Sequence, residues 1–241
     1  MSRTAHSRDW LGERLLAEPE EMDAPHVDAV RLHGALRFIQ RVNRWLGYSA
    51  VTLRHLDNLV RDIPRNRVLR ILDVATGSAD VPVAINIWAK RSDRRVEVVG
   101  LDLHQTTLDF AVTCAPHVPL IRGDALQLPF DDRSFDIVMT NMFLHHLPTS
   151  TAANVLKEMD RVASHGVIAA DLLRTAAAHR WATLFTLTAD AMVKHDARVS
   201  VKQAFTMSEA KALCDQAGLS GASVHKHFAH RFVITSKKVV S

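Results

Sequence analysis

Between residues 68 and 173, short apolar runs alternate with helical patterns, and this rhythm limits the fold more than any other feature of the chain. The runs are VLRILDV (68–74), VEVVGLDL (96–103), a short stretch at 119–122, FDIVMTNM (135–142) and GVIAADLL (166–173). Each has strand length, is apolar almost throughout, and ends in turn or polar residues. Helical patterns fill the gaps at 82–91, 105–115 and 150–163. A strand that is apolar on both sides must be covered on both faces, as it is when crossover helices pack on each side of a parallel sheet. The expectation is therefore an α/β, doubly wound, mostly parallel sheet.

The flanks differ from this core. In 27–46, Leu32, Ala35, Leu36, Ile39, Val42 and Leu46 share one helical face, and Arg37, Arg41 and Arg44 lie opposite. Pro25 suits a first turn and Gly47 a helix end. A second helix over 49–61 stops at Pro64. Residues 1–64 thus read as an N-terminal helical lid, and 65–241 as the main domain. Within that domain 174–204 is helical and longer than a crossover requires, which makes it an insertion after strand five. A helix over 208–218 should start at Ser208 and stop at Gly218, and 223–230 with 231–237 should close the sheet as an antiparallel hairpin.

Composition removes several functional classes. Apolar residues make up 47% of the 241, which supports a packed core, and the net charge of +4 comes from scattered arginines rather than a basic stripe. Cys114 and Cys214 are far apart and in no metal-binding spacing. MSRTAHSRDW has no apolar run behind its charges, and no stretch reaches the ~18 apolar residues of a membrane span. A soluble, cytoplasmic protein is expected.

The polar residues that could carry chemistry fall at strand ends: Asp73 to Asp80, Asp102, Asp124, Asn141 to His146, and Asp171. Doubly wound sheets bind ligands there. The loop ATGSAD (75–80) turns a strand into a helix, yet it lacks the G-x-G-x-x-G of a dinucleotide site and places Asp80 where the last glycine would stand. A carboxylate in that position repels a pyrophosphate, and no Gly-Lys-Ser/Thr follows to make a phosphate loop. Asp102 can accept hydrogen bonds from two ribose hydroxyls, and Asp124 with Ala125 can read an adenine edge. Adenosine with a cationic tail fits this acidic set, and S-adenosylmethionine (SAM) is such a ligand.

ILDVATGSAD, VVGLDL, IRGDALQLPFDDRSFDIV and FLHHLP together resemble the ordered motifs of class I SAM-dependent methyltransferases, in the branch that acts on quinones, sugars and polyketides. The resemblance spans roughly 66–173. It implies a Rossmann-like methyltransferase sheet. Asp73, Ala75, Gly77 and Asp80 would shape the methionine part of the cofactor pocket, with Asn141 beside it. Asp102 with Leu103 would hold the ribose, Asp124 with Ala125 the adenine, and S-adenosylhomocysteine would be the product. Ala75 and Ala79 stand where glycine is frequent in the family, so ordinary φ values are expected for both and Gly77 becomes the one flexible residue.

Methyl transfer to a hydroxyl also requires loss of a proton, and His is poised for this near neutral pH. By resemblance, His145 would act as the base with Asp171 orienting it. His146 would either join them or pack against the cofactor. The expected activity is O-methylation of a phenolic or polyketide-like small molecule. The alternatives are C-methylation of a quinone precursor and a noncatalytic SAM-fold partner protein. Nucleic acid is not expected as a partner, because Asn141-Met142-Phe143-Leu144 lacks the prolines that hold a flipped base. No metal is expected: His225, His227 and His230 read as a solvated terminal strand, and Lys194-His195-Asp196 as an exposed polar face. The basic face at Arg37, Arg41 and Arg44 leaves open a contact with a membrane surface, and the oligomeric state is open.

Overall fold

A computed structural model of the protein describes residues 12–16, 20–23 and 27–238; Pro25 and the first ten residues lie outside them. Seven strands form one sheet in the order β3-β2-β1-β4-β5-β7-β6. β1 (Val68–Val74), β2 (Arg95–Asp102), β3 (Leu120–Arg122), β4 (Phe135–Asn141) and β5 (Ala163–Leu172) are parallel. β6 (Ser223–His227) and β7 (Arg231–Lys237) form the closing hairpin, with β7 inserted antiparallel beside β5. The chain leaves β1 toward β2 on one side and returns to β4 on the other. This reversal of strand order opens a crevice at the carboxyl ends of β1 and β4.

Each face of the sheet has its own core. On one face Leu72, Val74, Val138 and Val167 pack against α5 (Thr149–Val162) and α8 (Met207–Ala217). On the other, Leu69, Ile71, Ile137 and Ile168 pack against α2 (Tyr48–Leu59) and α3 (Asp80–Arg91), with α4 (Gln105–Cys114) beside β2 and β3. Two-sided burial accounts for the unbroken apolar strands. Their one charged interruption on β4, Asp136, is matched by Arg67 and by the Arg70 backbone N–H at 2.9 Å.

The 1–64 segment does not behave as one lid. α2 is part of the sheet's covering layer, because Leu56 and Leu59 point into the core and are 0% and 7% exposed. α1 (Ala29–Trp45) does lie over the strand ends. Asp28 caps it by accepting the Arg31 N–H at 2.9 Å, and Gly47 follows it at φ 66°. Its whole apolar stripe lines a cavity, and Leu32, Ala35 and Leu36 also pack on α4 and α7. The insertion after β5 is α6 (Ala176–Phe185) and α7 (Ala191–Gln203), and it forms the opposite wall.

The cap of α8 stands two residues before Ser208. It is Thr206, in a reciprocal pair with Glu209, while Gly218 ends the helix as expected. No helix among the described residues is long and apolar enough to cross a membrane.

If α2 is core rather than lid, Leu56→Ala should unfold the whole domain more easily, by about 2–5 kcal/mol in urea denaturation. A detachable lid would instead leave the main transition unchanged.

Candidate active site

Asp73 ends β1 with 1% exposure. The Thr76 hydroxyl donates to it at 2.7 Å and the Asn141 amide faces it at 3.5 Å, while the Asn141 carbonyl accepts the Thr52 hydroxyl at 2.6 Å. The ends of β1 and β4 and the start of α2 are thereby tied together at the crevice. Burial is the main reason that the Asp73 pKa is pushed up to about 7; the Thr76 bond opposes it and the neighbouring charges of Asp80 and Asp102 add to it.

Asp102 ends β2. One carboxylate oxygen accepts the Gly77 N–H at 3.0 Å, the other the His104 N–H at 3.1 Å, and burial raises its pKa. Each oxygen keeps a lone pair for a further donor. Asp80 opens α3, is also raised by burial, and takes a hydrogen bond from Asn43 of α1. Asp124 is exposed and accepts the Leu126 N–H at 2.9 Å; Ala125 is buried and Leu103 is 51% exposed. Every residue expected in the cofactor and catalytic sites lines one cavity of about 860 Å³, except Asp171.

The backbone of the 75–80 loop overturns one expectation. Ala75 and Ala79 have φ of 54° and 56°, the same left-handed region as Gly77 at 56°. The loop bends three times within five residues, fastened by Thr76 N–H to Leu101 O and Ala79 N–H to Thr76 O, both 2.9 Å. Ala79 offsets its strain by packing its methyl with Ala111, Ala115 and Val118. Nothing in the structure explains why position 75 is not glycine. A Cβ at Gly77 would meet nothing within 4 Å, so that position is restricted by φ and not by space.

At the far end of the cavity, His145 lies in a 3-10 turn, Leu144–His146, and is 2% exposed. Its Nδ1 is 2.5 Å from Asp171 Oδ1, and its backbone N–H donates to Asp171 Oδ2 at 2.9 Å. Asp171 sits behind it, outside the cavity wall. The two residues anticipated as a pair are therefore brought together. Glu20, which no sequence pattern indicated, stands on the other side: its Oε1 is 3.6 Å from His145 Nε2 and 3.7 Å from His146 Nδ1. Ser200 of α7 donates to Glu20 at 2.6 Å, and the two imidazoles lie with centroids 4.2 Å apart. Burial works against charge on His145, but Asp171 and then Glu20 outweigh it and the pKa rises to about 10. The ring thus lies between two acidic side chains that both favour its charged form.

Other polar residues depart from their expected surroundings. Asp196 is 5% exposed rather than on a solvated face, and accepts the N–H groups of Glu21 and Met22 at 2.8 and 3.1 Å. His225 and His227 do not form a simply solvated strand: they meet His55 of α2, with 2.8 Å between the Nε2 atoms of His55 and His227. Burial lowers the His55 pKa to about 4. Tyr48, the single tyrosine, lines the cavity with the Arg231 guanidinium 3.9 Å over its ring.

Comparison with known proteins bears on the fold. Residues 72–170 match the family model described as "Methyltransferase domain". Over 100 residues the chain is 37% identical to a demethylmenaquinone methyltransferase of Staphylococcus haemolyticus, covering 40% of each. Over 111 residues it is 32% identical to that of Staphylococcus aureus, covering 45% of this chain and 44% of the relative. The match thus spans less than half the length of these curated relatives. Among solved structures, the CurJ carbon methyltransferase superposes with TM-score 0.65 at 12% identity over 89% of this chain and 62% of that one. Magnesium protoporphyrin IX methyltransferase from Synechocystis, with S-adenosylhomocysteine bound, has TM-score 0.55 at 14% identity over 91% of each chain.

The fold is that of the class I SAM-dependent methyltransferases. Its sheet core, 72–170, matches the methyltransferase domain, and one protein of the same fold holds S-adenosylhomocysteine, the demethylated form of SAM. The residues present fit that cofactor. Asp102 keeps free lone pairs, Gly77 leaves open space, and two carboxylates, Asp73 and Asp80, await a cationic tail.

Two outcomes follow from the loop and from Asp73. Relief of a left-handed alanine is worth ~1–2 kcal/mol and the added chain entropy of glycine takes back ~0.4–1. Ala75→Gly should therefore stabilise slightly in urea denaturation, while Ala79→Gly should not, since it also loses a buried methyl. Asp73 has a folded pKa of about 7 against an ordinary 3.8, so the stability it confers is present below the ordinary value and lost as pH rises through 7. Urea denaturation at pH 5 and pH 8 should show wild type losing at least ~1 kcal/mol relative to Asp73→Asn at the higher pH. Parallel pH profiles would mean that Asp73 is ionised throughout.

Proposed function

We propose that the protein transfers a methyl group from SAM to a hydroxyl of a largely apolar small molecule, phenolic or polyketide-like. The observation that carries this reading is the single cavity. One end is acidic, built from Asp73, Asp80 and Asp102. The other is walled by apolar side chains of α1, α6 and α7, with His145 in its lining and Asp171 buried behind it. Trp181 and Phe228 line the cavity yet remain 47% and 82% exposed, which puts them at its opening and suits entry of a lipophilic acceptor.

When bound, SAM supplies a methyl made electrophilic by its sulfonium. Asp102 would hold the ribose hydroxyls and Asp73 the cationic tail, while Asp124 and Ala125 flank the adenine. α1 and α7 exclude water and align the acceptor, and alignment is the larger part of catalysis for an in-line displacement. Asp171 fixes the His145 ring through Nδ1, leaving Nε2 as the nitrogen directed toward Glu20. For Nε2 to take the acceptor's proton, the proton it holds passes to Glu20. His146, a fifth exposed, flanks the same point.

A second reading, C-methylation of a quinone precursor, draws support from the demethylmenaquinone methyltransferases and from the CurJ carbon methyltransferase among the similar proteins. It shares the cofactor end and differs only in the atom presented to the methyl.

His145→Ala should lower kcat by ~100-fold or more with SAM affinity nearly unchanged. Asp102→Ala should weaken SAM binding by ~10-fold or more in calorimetry, through loss of charge-assisted hydrogen bonds. Equal loss of SAM binding in both variants would refute this division of roles. No SAM binding by the wild type at millimolar concentration would leave the noncatalytic alternative.

A further inference from the structure

We propose that Glu20, His145 and His146 form a three-ligand site for a borderline divalent cation such as Zn²⁺, with its open position facing the acceptor cavity. The carboxylate oxygen of Glu20 lies 3.6 Å from His145 Nε2 and 3.7 Å from His146 Nδ1, and the three ligand atoms are all within 4.8 Å of one another. Ligands of a tetrahedral zinc with bonds near 2.1 Å stand roughly 3.4 Å apart, so both pairs that involve Glu20 are already near that spacing. Two imidazole nitrogens and one carboxylate oxygen make a donor set suited to first-row divalent ions, and unsuited to Mg²⁺ or Ca²⁺, which prefer oxygen throughout.

The surroundings are those of a metal site. Asp171 takes the Nδ1 side of His145 at 2.5 Å, the carboxylate–histidine arrangement that fixes a ligand ring and strengthens its other nitrogen as a donor. Ser200 donates to the Glu20 oxygen at 2.6 Å and holds the carboxylate in place. Glu20 and His145 are 4% and 2% exposed, and all three ligands line the cavity. With three protein ligands a fourth position stays open, as in zinc sites that act on bound molecules. The three come from two places in the chain, the segment before α1 and the turn after β4, so an ion would also tie the lid to the sheet. The other histidine group does not share this geometry: His55 and His227 have their Nε2 atoms 2.8 Å apart, too close for two ligands of one such ion.

The cation site stands on these three side chains alone. Only its role rests on the methyl-transfer reading: the open position is where an acceptor hydroxyl would bind, made more acidic by the ion. His145 would then serve as ligand, and the acceptor's proton would leave to water rather than to Nε2.

Metal-free full-length protein titrated with Co²⁺, without SAM or acceptor, tests the site apart from any activity. The expected result is one Co²⁺ per chain, with visible absorption of four- or five-coordinate strength that Zn²⁺ displaces. Glu20→Gln and His146→Ala should each weaken binding by at least ~10-fold, and Asp171→Asn by ~10-fold through His145. His227→Ala should leave it unchanged. Because His146 is a fifth exposed, its alanine variant should keep the wild-type circular dichroism while losing the zinc-dependent rise in Tm. Absence of the cobalt spectrum at one equivalent would overturn the proposal. So would a spectrum that survives the Glu20→Gln, His146→Ala double substitution or disappears in His227→Ala.

Discussion

β1 and β4 lie side by side although the chain leaves them in opposite directions, and the site depends on what meets at that junction. Asp73 from β1 and Asn141 from β4 share a hydrogen bond there, with Thr76 and Thr52 satisfying the remaining atoms. A carboxylate with 1% exposure has too little water to stay charged without help, which is why its pKa moves to about 7. A cationic group beside Asp73 would favour its ionised form and offset this upward shift. The same junction anchors the 75–80 loop, whose Gly77 N–H in turn orients Asp102.

The far end of the cavity is organised by a second buried acid. Asp171 ends β5 and accepts three donors: the His145 ring, the His145 backbone and the Leu172 backbone. Through these three bonds Asp171 locks the 3-10 turn after β4 to the end of β5. Arg14, before α1, extends the lock by donating to the carbonyls of His145, Leu147 and Gln203. The segment before α1 therefore contributes more than cover. It brings Glu20 to the two histidines, and Asp196 of α7 holds the following residues by their backbone N–H groups.

Much of this was readable from residue order. The strands of the sheet, the hairpin and the strand-end positions of Asp73, Asp102, Asn141 and Asp171 follow from apolar runs of strand length, since a buried strand tolerates polar residues only where it emerges. The pairing of His145 with Asp171 was also accessible, though only through family resemblance. Other features left no trace in the pattern. Glu20 lies among other acidic residues with no periodicity, and its burial depends on a partner, Ser200, that is 180 residues away. The φ angles of Ala75 and Ala79 were misjudged because residue type argues against the left-handed region, and tertiary packing of the Ala79 methyl overrides that preference locally.

α2 shows the boundary between the two kinds of information. The sequence by itself determined that a second helix lies at about 49–61, that a parallel sheet follows, and that acids stand at the ends of its strands, because helix and strand patterns are local consequences of residue type. Only the tertiary structure decided that α2 covers the sheet while α1 covers the cavity. It also decided that His145 sits between two carboxylates, and that three histidines meet across α2 and the hairpin. Those outcomes depend on which surfaces meet across long chain separations, and apolar stripes of similar character give no preference until the whole sheet has assembled.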